Sequence, residues 1–482
     1  MPRWAWAALA TLTAARLAIA AVMPLAPDEA YYWVWSRALA PGYLDHPPMV
    51  ALWIWLGTAV AGDGALGVRL LAPLSAALGS VLLVRAGEDL LPGRGAGVIA
   101  AALLNATLLF GVGAVTMTPD TPVLFFWTAA LFALARLVAT GDGRWWLAAG
   151  LAIGLSLASK YTGFLLAGGV GLWVIAVPAM RPWLRRPAPW LGGLIALGVF
   201  APVLWWNACH GWASFAKQGG RAGVFDFARA PQYLGELLGG QAGLATPLVF
   251  VLCVAGCVHA VRRAASRPAG WSLLVALSVL PMLVFIEHAF GDRVQANWPA
   301  IVYPAASIAA AGLSAGWLRW VKPAVGLGLV LTAIAWTQAA FAPLALPMRL
   351  DPTLLRLGGW EALAAEIAAR PDVGFVASDN YGHAALLARL LPPGVPVYGI
   401  EERWRLFGLP DAAPAIAGRS GLLIRSARRD DAPDPADWSE IVRLGTLDRT
   451  RNGMTAETFR LYRVTGQTHP GATPIVVLPR PR

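Results

Sequence analysis

Charged residues are scarce in this sequence, and acidic residues are scarcer than basic ones. Only 13% of the 482 residues are charged, with 27 acidic and 38 basic side chains, whereas 57% are hydrophobic. Such a composition excludes an ordinary soluble domain and indicates a protein that crosses a membrane several times. The net charge of +11 comes mostly from short loops between apolar runs, so we expect no nucleic-acid partner.

Cysteine is also rare, and the chain has no convincing internal repeat or low-complexity tract. Three cysteines are too few for a disulfide framework. The first apolar run, Trp4 to Met23, resembles a signal peptide. It lacks a small-x-small cleavage site before Pro24, so we interpret it as a retained first span.

Apolar runs dominate the first two thirds of the sequence. Eleven of them are long enough to cross roughly 30 Å of hydrocarbon. The predicted spans are 4–23, 65–86, 95–115, 120–138, 145–160, 162–179, 189–207, 242–261, 270–288, 298–317 and 323–342. A shorter run, 47–61, begins with Pro47 and Pro48 and is predicted to lie in the membrane interface.

Loop charges orient the predicted bundle. If the spans alternate, basic residues such as Arg85, Arg136 and Arg185 fall on one side, which the positive-inside rule makes cytoplasmic. The other side receives the first acidic loop, Asp120, Lys160 and the loop 208–240. The residues capable of chemistry therefore gather on the outer face.

Composition changes near residue 345, where apolar runs shorten and Asp, Glu, Arg and Pro increase. We divide the chain into a transmembrane domain, 1–344, whose first outer loop covers about 24–64, and an extracytoplasmic domain, 345–482. The predicted fold is a mainly α transmembrane bundle with a small C-terminal α/β domain. The predicted elements of that domain are strands at 373–378, 395–400, 421–424 and 459–464, helices at 360–369 and 384–391, and a loose tail from Pro470.

The first outer loop carries three carboxylates. Asp28 and Glu29 follow the first span, and Asp45 and His46 come shortly after them. A carboxylate inside a membrane helix costs roughly 2.5–3.5 kcal/mol, so membrane proteins tend to retain one where it is used. This loop therefore indicates a reaction centre at the boundary between membrane and water.

These residues suit transfer of a sugar carried on a lipid phosphate. Phosphate is a good leaving group, so its departure needs charge stabilisation, while the attacking hydroxyl needs a base. Asp28 or Glu29 fits the base. The cations predicted to hold the donor phosphate are His46, Lys160 and Arg293.

Six short motifs resemble the membrane glycosyltransferases of the GT-C fold, in the bacterial branch related to protein mannosyltransferases and lipid A aminoarabinose transferases. Each motif alone is weak, but their order and common face make the set fairly specific. They are Asp28-Glu29-Ala30-Tyr31-Tyr32, Tyr43-Leu44-Asp45-His46-Pro47-Pro48-Met49, Thr118-Pro119-Asp120-Thr121-Pro122, Ser159-Lys160-Tyr161-Thr162-Gly163, Ser214-Phe215 with Gln218, and Asn297-Trp298-Pro299.

The resemblance implies an integral membrane glycosyltransferase of the bacterial inner membrane. Its donor would be a polyprenyl-phosphate sugar, its acceptor a lipid, glycan or protein, and its active site would face the periplasm. Transfer would invert the sugar with Asp28 as base, and no cofactor is expected. The lipid A branch has a lysine where His46 stands, so Lys160 and Arg293 are left to supply charge. The other residues that the motifs imply are the carboxylates Glu29 and Asp45 and the substrate-binding Tyr32, Asp120, Tyr161 and Asn297.

Purely structural roles compete with several of these assignments. Carboxylates at helix starts cap free N–H groups, which would explain Asp28, Glu29 and Asp120. Asp45 could pair with His46. Lys160 could extend from a helix end to the membrane interface, and Tyr161 could lie among the aromatic residues of that interface. Arg293 could form an ion pair within its loop, and Asn297 could cap the next span.

Three alternatives concern the whole protein. A divalent metal on Asp28 with Asp45 or His46 has suitable ligand types but no support from spacing. A transporter or flippase of lipid-linked saccharides would place charged groups near mid-span, where we find none convincing. An inert membrane scaffold would give no reason for acidic clusters to be present on one side of the membrane.

Overall fold

The computed structural model describes residues 1–220, 225–265, 268–370, 374–429, 431–467 and 473–481. Val373 and Pro470, where a strand and the tail were predicted to begin, lie outside these residues. In the described chain, helices fill the first two thirds and a mixed sheet with helices fills the last third. The predicted fold class, a mainly α bundle with a small C-terminal α/β part, is confirmed.

Helices follow one another with short connections as far as residue 341. They are α1 (Arg3–Val22), α2 (Pro27–Arg37), α3 (Met49–Ala61), α4 (Ala65–Arg69), α5 (Leu71–Leu90), α6 (Ala96–Asn105), α7 (Leu108–Gly113), α8 (Asp120–Thr140), α9 (Trp145–Leu157), α10 (Gly163–Ala176), α11 (Pro187–Cys209), α12 (Ala213–Gly219), α13 (Ala230–Leu244), α14 (Pro247–Ala264), α15 (Pro268–His288), α16 (Tyr303–Ala311), α17 (Ala315–Leu318) and α18 (Val321–Phe341). Short 3₁₀ helices stand at Arg181–Arg185 and Trp298–Val302.

The last third of the chain contains helices and strands in alternation. They are α19 (Pro352–Leu357), α20 (Trp360–Ala368), β1 (Val376–Ser378), α21 (Tyr381–Leu390), β2 (Val397–Ile400), α22 (Ala413–Ile416), β3 (Ser420–Ser426), β4 (Trp438–Arg451), β5 (Met454–Gly466) and β6 (Ile475–Val477). A third 3₁₀ helix stands at Glu402–Leu406.

All eleven predicted spans are helical, but their lengths differ. Within the described residues, seven helices are long and apolar enough to cross a membrane: Arg3–Val22, Ala65–Leu90, Asp120–Thr140, Pro187–Cys209, Pro247–Ala264, Ala269–His288 and Ala315–Phe341. The other four predicted spans fall on the shorter apolar helices Ala96–Asn105, Trp145–Leu157, Gly163–Ala176 and Trp298–Ala311. The chain is therefore a multi-pass membrane protein.

Chain packing divides the described residues into two compact units. The first unit contains Met1–Ala18, Pro41–Val50 and Arg69–Ile334, and the second contains Ile19–Ala40, Ala51–Val68 and Ala335–Arg482. The predicted division at residues 344 and 345 stays a prediction. In the second unit, α2 and α3 of the first outer loop are grouped with the C-terminal elements.

Small residues bring the helices of the first unit close together. A Cβ atom on Gly150 of α9 would stand 2.1 Å from the backbone oxygen of Gly192 on α11. A Cβ on Gly256 of α14 would stand 2.4 Å from the backbone nitrogen of Ala310 on α16. Membrane helices pack through such small residues because lipid supplies no hydrophobic force between helices.

The second unit contains one six-stranded sheet in the order β4-β5-β3-β1-β2-β6. The three central strands are parallel, with Ala377 opposite both Tyr398 and Leu423, and the outer pairings are antiparallel. The β1–α21–β2 segment is thus a βαβ unit, which places the start of α21 at the carboxyl edge of the parallel strands. Phe375, Tyr398 and Tyr462 pack in the core on the sheet.

Two features of the C-terminal part differ from prediction. The prediction missed β4, in which buried and exposed residues do not alternate cleanly, so its pattern does not mark a strand. The tail was predicted to be loose from Pro470, but Ile475–Val477 pairs with β2 as an edge strand. A strand of three residues gives too short a pattern to detect in sequence.

Candidate active site

Asp120 and Lys160 meet at neighbouring helix ends in the first unit. Asp120 is the first residue of α8, and Lys160 stands in the turn between α9 and α10. The Lys160 Nζ lies 2.6 Å from Asp120 Oδ1, and Asn297 donates from Nδ2 to Asp120 Oδ2 at 2.9 Å. Three residues predicted from separate motifs therefore come together around one carboxylate.

Burial makes the Asp120–Lys160 pair structurally important. The Lys160 side chain is only 7% exposed, which does not fit the alternative of a lysine that snorkels to water. Removing one partner of a buried pair leaves the other charge without compensation, which typically costs about 3–5 kcal/mol. The ammonium is thus held at one place, 5.8 Å from the centre of the Trp298 ring.

His46 lies beside these charges but carries none itself at neutral pH. Burial, followed by the charge of Lys160, lowers the pKa of the imidazole to about 4, while Asp45 and Asp120 act in the opposite direction. The neutral ring can donate or accept a hydrogen bond. Phosphate binding by His46 stays a prediction, and any positive charge has to come from another residue.

Lys217 supplies a second ammonium group that sequence reasoning missed. The Asp45 carboxylate forms an ion pair with Lys217 Nζ, and the local pair between Asp45 and His46 stays a prediction. Gln218 donates from Nε2 to the backbone oxygen of Asp45 at 2.8 Å. Lys217 stands next to Gln218, a motif residue, and this adjacency is the only signal in the sequence that could have identified it.

Tyr161 helps to hold the helix that carries Lys217. The Tyr161 hydroxyl lies 2.5 Å from Ser214 Oγ on α12 and accepts a hydrogen bond from Asn207 Nδ2 at 3.3 Å. Phe215 packs on the Tyr161 ring, with centroids 5.0 Å apart. The hydroxyl is therefore engaged within the protein, and substrate binding by Tyr161 stays a prediction.

Arg293 lies with a different carboxylate. Its guanidinium forms two hydrogen bonds to Glu236 on α13, at 2.6 and 2.9 Å, in a bidentate pair. The expected partners were Asp292 or Glu287; Asp292 instead accepts from the backbone nitrogen of Arg293. Lys160 and Lys217 have carboxylate partners as well, so pairing does not rank the three cations, and phosphate binding by Arg293 stays a prediction.

Glu29 and Tyr32 are buried on α2, in the second unit. Glu29 Oε2 accepts a hydrogen bond from the backbone nitrogen of Ala26 at 3.0 Å, which closes the start of the helix. The Tyr32 ring packs edge-on against Trp35, with centroids 5.0 Å apart. These contacts are structural, and catalytic or substrate-binding roles for the two residues stay predictions.

Asp28 is the more exposed carboxylate of the pair. Its side chain is 41% exposed, and it accepts a hydrogen bond from the Tyr381 hydroxyl at 3.1 Å on Oδ1. Arg356 lies 3.8 Å from the other oxygen, Oδ2. Both partners come from the C-terminal part of the chain, more than 300 positions away in sequence, and neither was predicted.

Asp63 anchors the other end of α2 and was also missed. It lies 3.4 Å from Arg37, accepts a hydrogen bond from Trp33 Nε1 at 3.0 Å, and its backbone oxygen accepts from Arg389. The Arg389 guanidinium also stacks on the Trp33 ring at 4.4 Å. These contacts fix α2 within its unit, so the position of Asp28 depends on both helix ends.

Metal-ligating groups do not assemble in the part of the chain that the structure describes. No three His, Cys, Asp or Glu side chains there come close enough to hold an ion. The expectation that no cofactor is needed stays a prediction.

Solved membrane transferases have the same fold. ArnT from Cupriavidus metallidurans bound to undecaprenyl phosphate matches with a TM-score of 0.65 at 14% identity, over 96% of this chain and 98% of that chain. The Archaeoglobus fulgidus oligosaccharyltransferase tethered with an acceptor peptide matches with a TM-score of 0.51 at 12% identity, over 88% and 69%. At these identities the likeness shows the fold alone, which is the GT-C fold.

Two sequence relationships identify the class. Residues 45–206 match the family of dolichyl-phosphate-mannose-protein mannosyltransferases. The chain is also 28% identical to the lipid A galacturonosyltransferase RgtD of Rhizobium johnstonii over 348 residues, which cover 72% of this chain and 70% of RgtD. The resemblance drawn from the six motifs is confirmed, and so is the prediction that the chain is a glycosyltransferase.

Proposed function

We propose that this enzyme transfers a sugar from a polyprenyl-phosphate donor to a lipid A-type glycolipid at the periplasmic face of a bacterial inner membrane. The relationship to a lipid A galacturonosyltransferase supports this acceptor over a free glycan or a protein. The related ArnT fold, seen bound to undecaprenyl phosphate, supports the donor class.

The two lysines of the first unit carry the proposal. Lys160 is paired with Asp120 and Lys217 with Asp45, and the charges of both lysines lower the pKa of His46, so the two ammonium groups belong to one polar cluster. A membrane protein tends to retain charges at such positions where they are used. A departing polyprenyl phosphate needs this kind of positive charge.

The proposed reaction is a single displacement with inversion. The acceptor hydroxyl attacks the anomeric carbon, the bond from that carbon to the phosphate oxygen breaks, and polyprenyl phosphate leaves with the bonding electrons. Asp28 takes the hydroxyl proton as general base. Lys160 and Lys217 balance the phosphate charge, and neutral His46 contributes a hydrogen bond. Each of these roles is proposed from the chemistry of the side chain concerned.

Purified protein in nanodiscs tests the proposal directly. It is incubated with lipid A and a panel of undecaprenyl-phosphate sugars that includes galacturonic acid, aminoarabinose and mannose, and products are followed by mass spectrometry. We expect one donor to be consumed and lipid A to gain one sugar, with the same result in EDTA. Lipid A left unchanged with every donor would contradict the acceptor assignment.

Asp28→Asn tests the base. General-base catalysis typically contributes 10²–10⁴-fold, so we expect transfer to fall at least about 100-fold. The amide keeps the shape of the carboxylate, so the variant should insert and melt as the wild type does. Asp434→Asn, an exposed carboxylate of the C-terminal part, serves as the control. Full activity in Asp28→Asn would remove Asp28 from the base role.

A further inference from the structure

The first turns of α2 and α21 touch within the second unit. A Cβ on Gly382 would stand only 2.7 Å from the Cβ of Pro27, so the observed approach requires glycine at that position. Gly382 is the second residue of α21, and Pro27 is the first of α2. The contact places Tyr381, just before Gly382, against Asp28, just after Pro27.

The backbone of Tyr381 is held by a helix cap. Asn380 Oδ1 accepts hydrogen bonds from the backbone nitrogens of Gly382 and His383, both at 3.0 Å. This cap satisfies two donors at the start of α21 and fixes the direction in which the helix leaves β1. Tyr381 therefore projects from a rigid helix end at the carboxyl edge of the parallel strands.

The Tyr381 ring is held by two neighbours. The Arg403 guanidinium lies 3.9 Å from the ring centroid, and the Tyr31 ring lies 4.4 Å away at a tilt of 52°. Arg403 is itself paired with Glu401 at 2.8 Å. The phenol therefore has little freedom to turn away from Asp28.

Arg356 adds a second contact to the same carboxylate from α19. Its side chain is 68% exposed and 3.8 Å from Asp28 Oδ2, so the pair by itself is weak. The helix that carries it is well anchored, because the fully buried Arg449 donates to backbone oxygens of Leu354 and Gly358 near its end. Both partners of Asp28 thus come from rigid parts of the C-terminal domain.

We propose that Tyr381 is a positioning residue that holds the Asp28 carboxylate in its catalytic orientation, so that the C-terminal domain takes part in catalysis. This inference rests on the proposed role of Asp28 as base. The phenol occupies Oδ1 and fixes the rotamer, which leaves lone pairs of Oδ2 for the proton of the acceptor hydroxyl. A wrongly turned base loses rate without losing substrate affinity.

Steady-state kinetics of Tyr381→Phe test the inference in the full-length protein. With undecaprenyl-phosphate galacturonic acid and lipid A, we expect kcat to fall about 10- to 100-fold and both KM values to stay within about twofold. Tyr398→Phe, which changes a buried tyrosine on β2 of the same unit, should leave kcat within about twofold. Melting temperatures of both variants in detergent should match that of the wild type.

A double-mutant cycle separates positioning from a general structural effect. In an Asp28→Glu background, whose longer side chain misplaces the carboxylate, adding Tyr381→Phe should reduce kcat less than about twofold further. An equal reduction in both backgrounds would overturn the inference. A raised donor KM with unchanged kcat would overturn it as well, because Tyr381 would then contact the donor.

Failure of the inference can be told apart from failure of the proposed function. An inactive Asp28→Asn with a fully active Tyr381→Phe overturns the inference alone, whereas an active Asp28→Asn overturns the base assignment. If none of the donors reacts, a cryo-EM structure of the wild type in nanodiscs tests the hydrogen bond between Tyr381 and Asp28 directly. A carboxylate of Asp28 turned away from the Tyr381 hydroxyl would overturn the inference there.

Discussion

At the scale of single residues, the charges of this membrane protein are arranged in pairs. Lys160 is held by Asp120, Lys217 by Asp45 and Arg293 by Glu236. Pairing reduces the cost of keeping charge out of water, so it does not by itself distinguish a functional cation from a structural one. Membership of the motifs does distinguish them. Two of these pairs contain residues of the six motifs, whereas Arg293 and Glu236 belong to none of them.

Lys217 and Arg293 give a matched test of phosphate binding. We expect Lys217→Gln to raise the donor KM about tenfold, because a charge-assisted contact to phosphate is worth roughly 1.5–3 kcal/mol. Arg293→Gln should change the same KM less than about twofold, since Arg293 and its partner Glu236 belong to none of the six motifs. The measurement is donor titration in the nanodisc assay.

The opposite ranking of these two variants would restore the original assignment. In that case Arg293 would exchange Glu236 for the phosphate on donor binding, and Lys217 would serve only to hold the loop at Asp45. Melting temperatures of both variants check that neither change acts through the fold.

At the scale of elements, close helix packing depends on glycine at defined positions. The contact between α9 and α11 leaves no room for a Cβ on Gly150, because the Gly192 backbone oxygen would be 2.1 Å away. Lys160 stands after the end of α9 and Asn207 near the end of α11, so this packing also bears on the site. Displacing the helices would move both residues.

Gly150→Ala should therefore destabilise the bundle. Overpacking typically costs about 1–3 kcal/mol, and we expect a lower melting temperature in detergent. Gly168→Ala is the matched control, because it lies within α10 with nothing within 4 Å of the added Cβ. Alanine there should leave stability unchanged or raise it by up to about 1 kcal/mol. Equal melting temperatures for the two variants would contradict the packing argument.

At the scale of the whole molecule, loop charge is the argument for orientation. The rule places Arg144 on the cytoplasmic side and the loop 208–240 on the periplasmic side. Both positions carry exposed side chains suitable for labelling, 88% at Arg144 and 42% at Asp226. The prediction can thus be tested without reference to catalysis.

Labelling with a membrane-impermeant maleimide tests this orientation. Single cysteines are placed at Arg144 and at Asp226 in a Cys209→Ser background, because Cys209 is exposed. In spheroplasts we expect Asp226→Cys to react and Arg144→Cys to react only after lysis. Reaction of Arg144→Cys in intact spheroplasts would invert the topology and place the proposed site in the cytoplasm.

The sequence by itself determined which segments are helical and which class of enzyme this is. Hydrophobic length and short motifs are local properties, so the eleven apolar runs and the residues Asp28, Asp120 and Lys160 could be read directly. Span lengths were less predictable, because turns such as the one at Gly312 and Leu313 interrupt an apolar run without a charged residue.

Only the tertiary structure decided which side chains meet. Asp45 pairs with Lys217 across 172 positions, and Asp28 accepts from Tyr381 across 353 positions. Such contacts depend on how helices and strands pack, and a single sequence carries no pattern that links residues so far apart. For the same reason, the contacts of Asp28 with Tyr381 and Arg356 could be found only in the fold and not in the motifs.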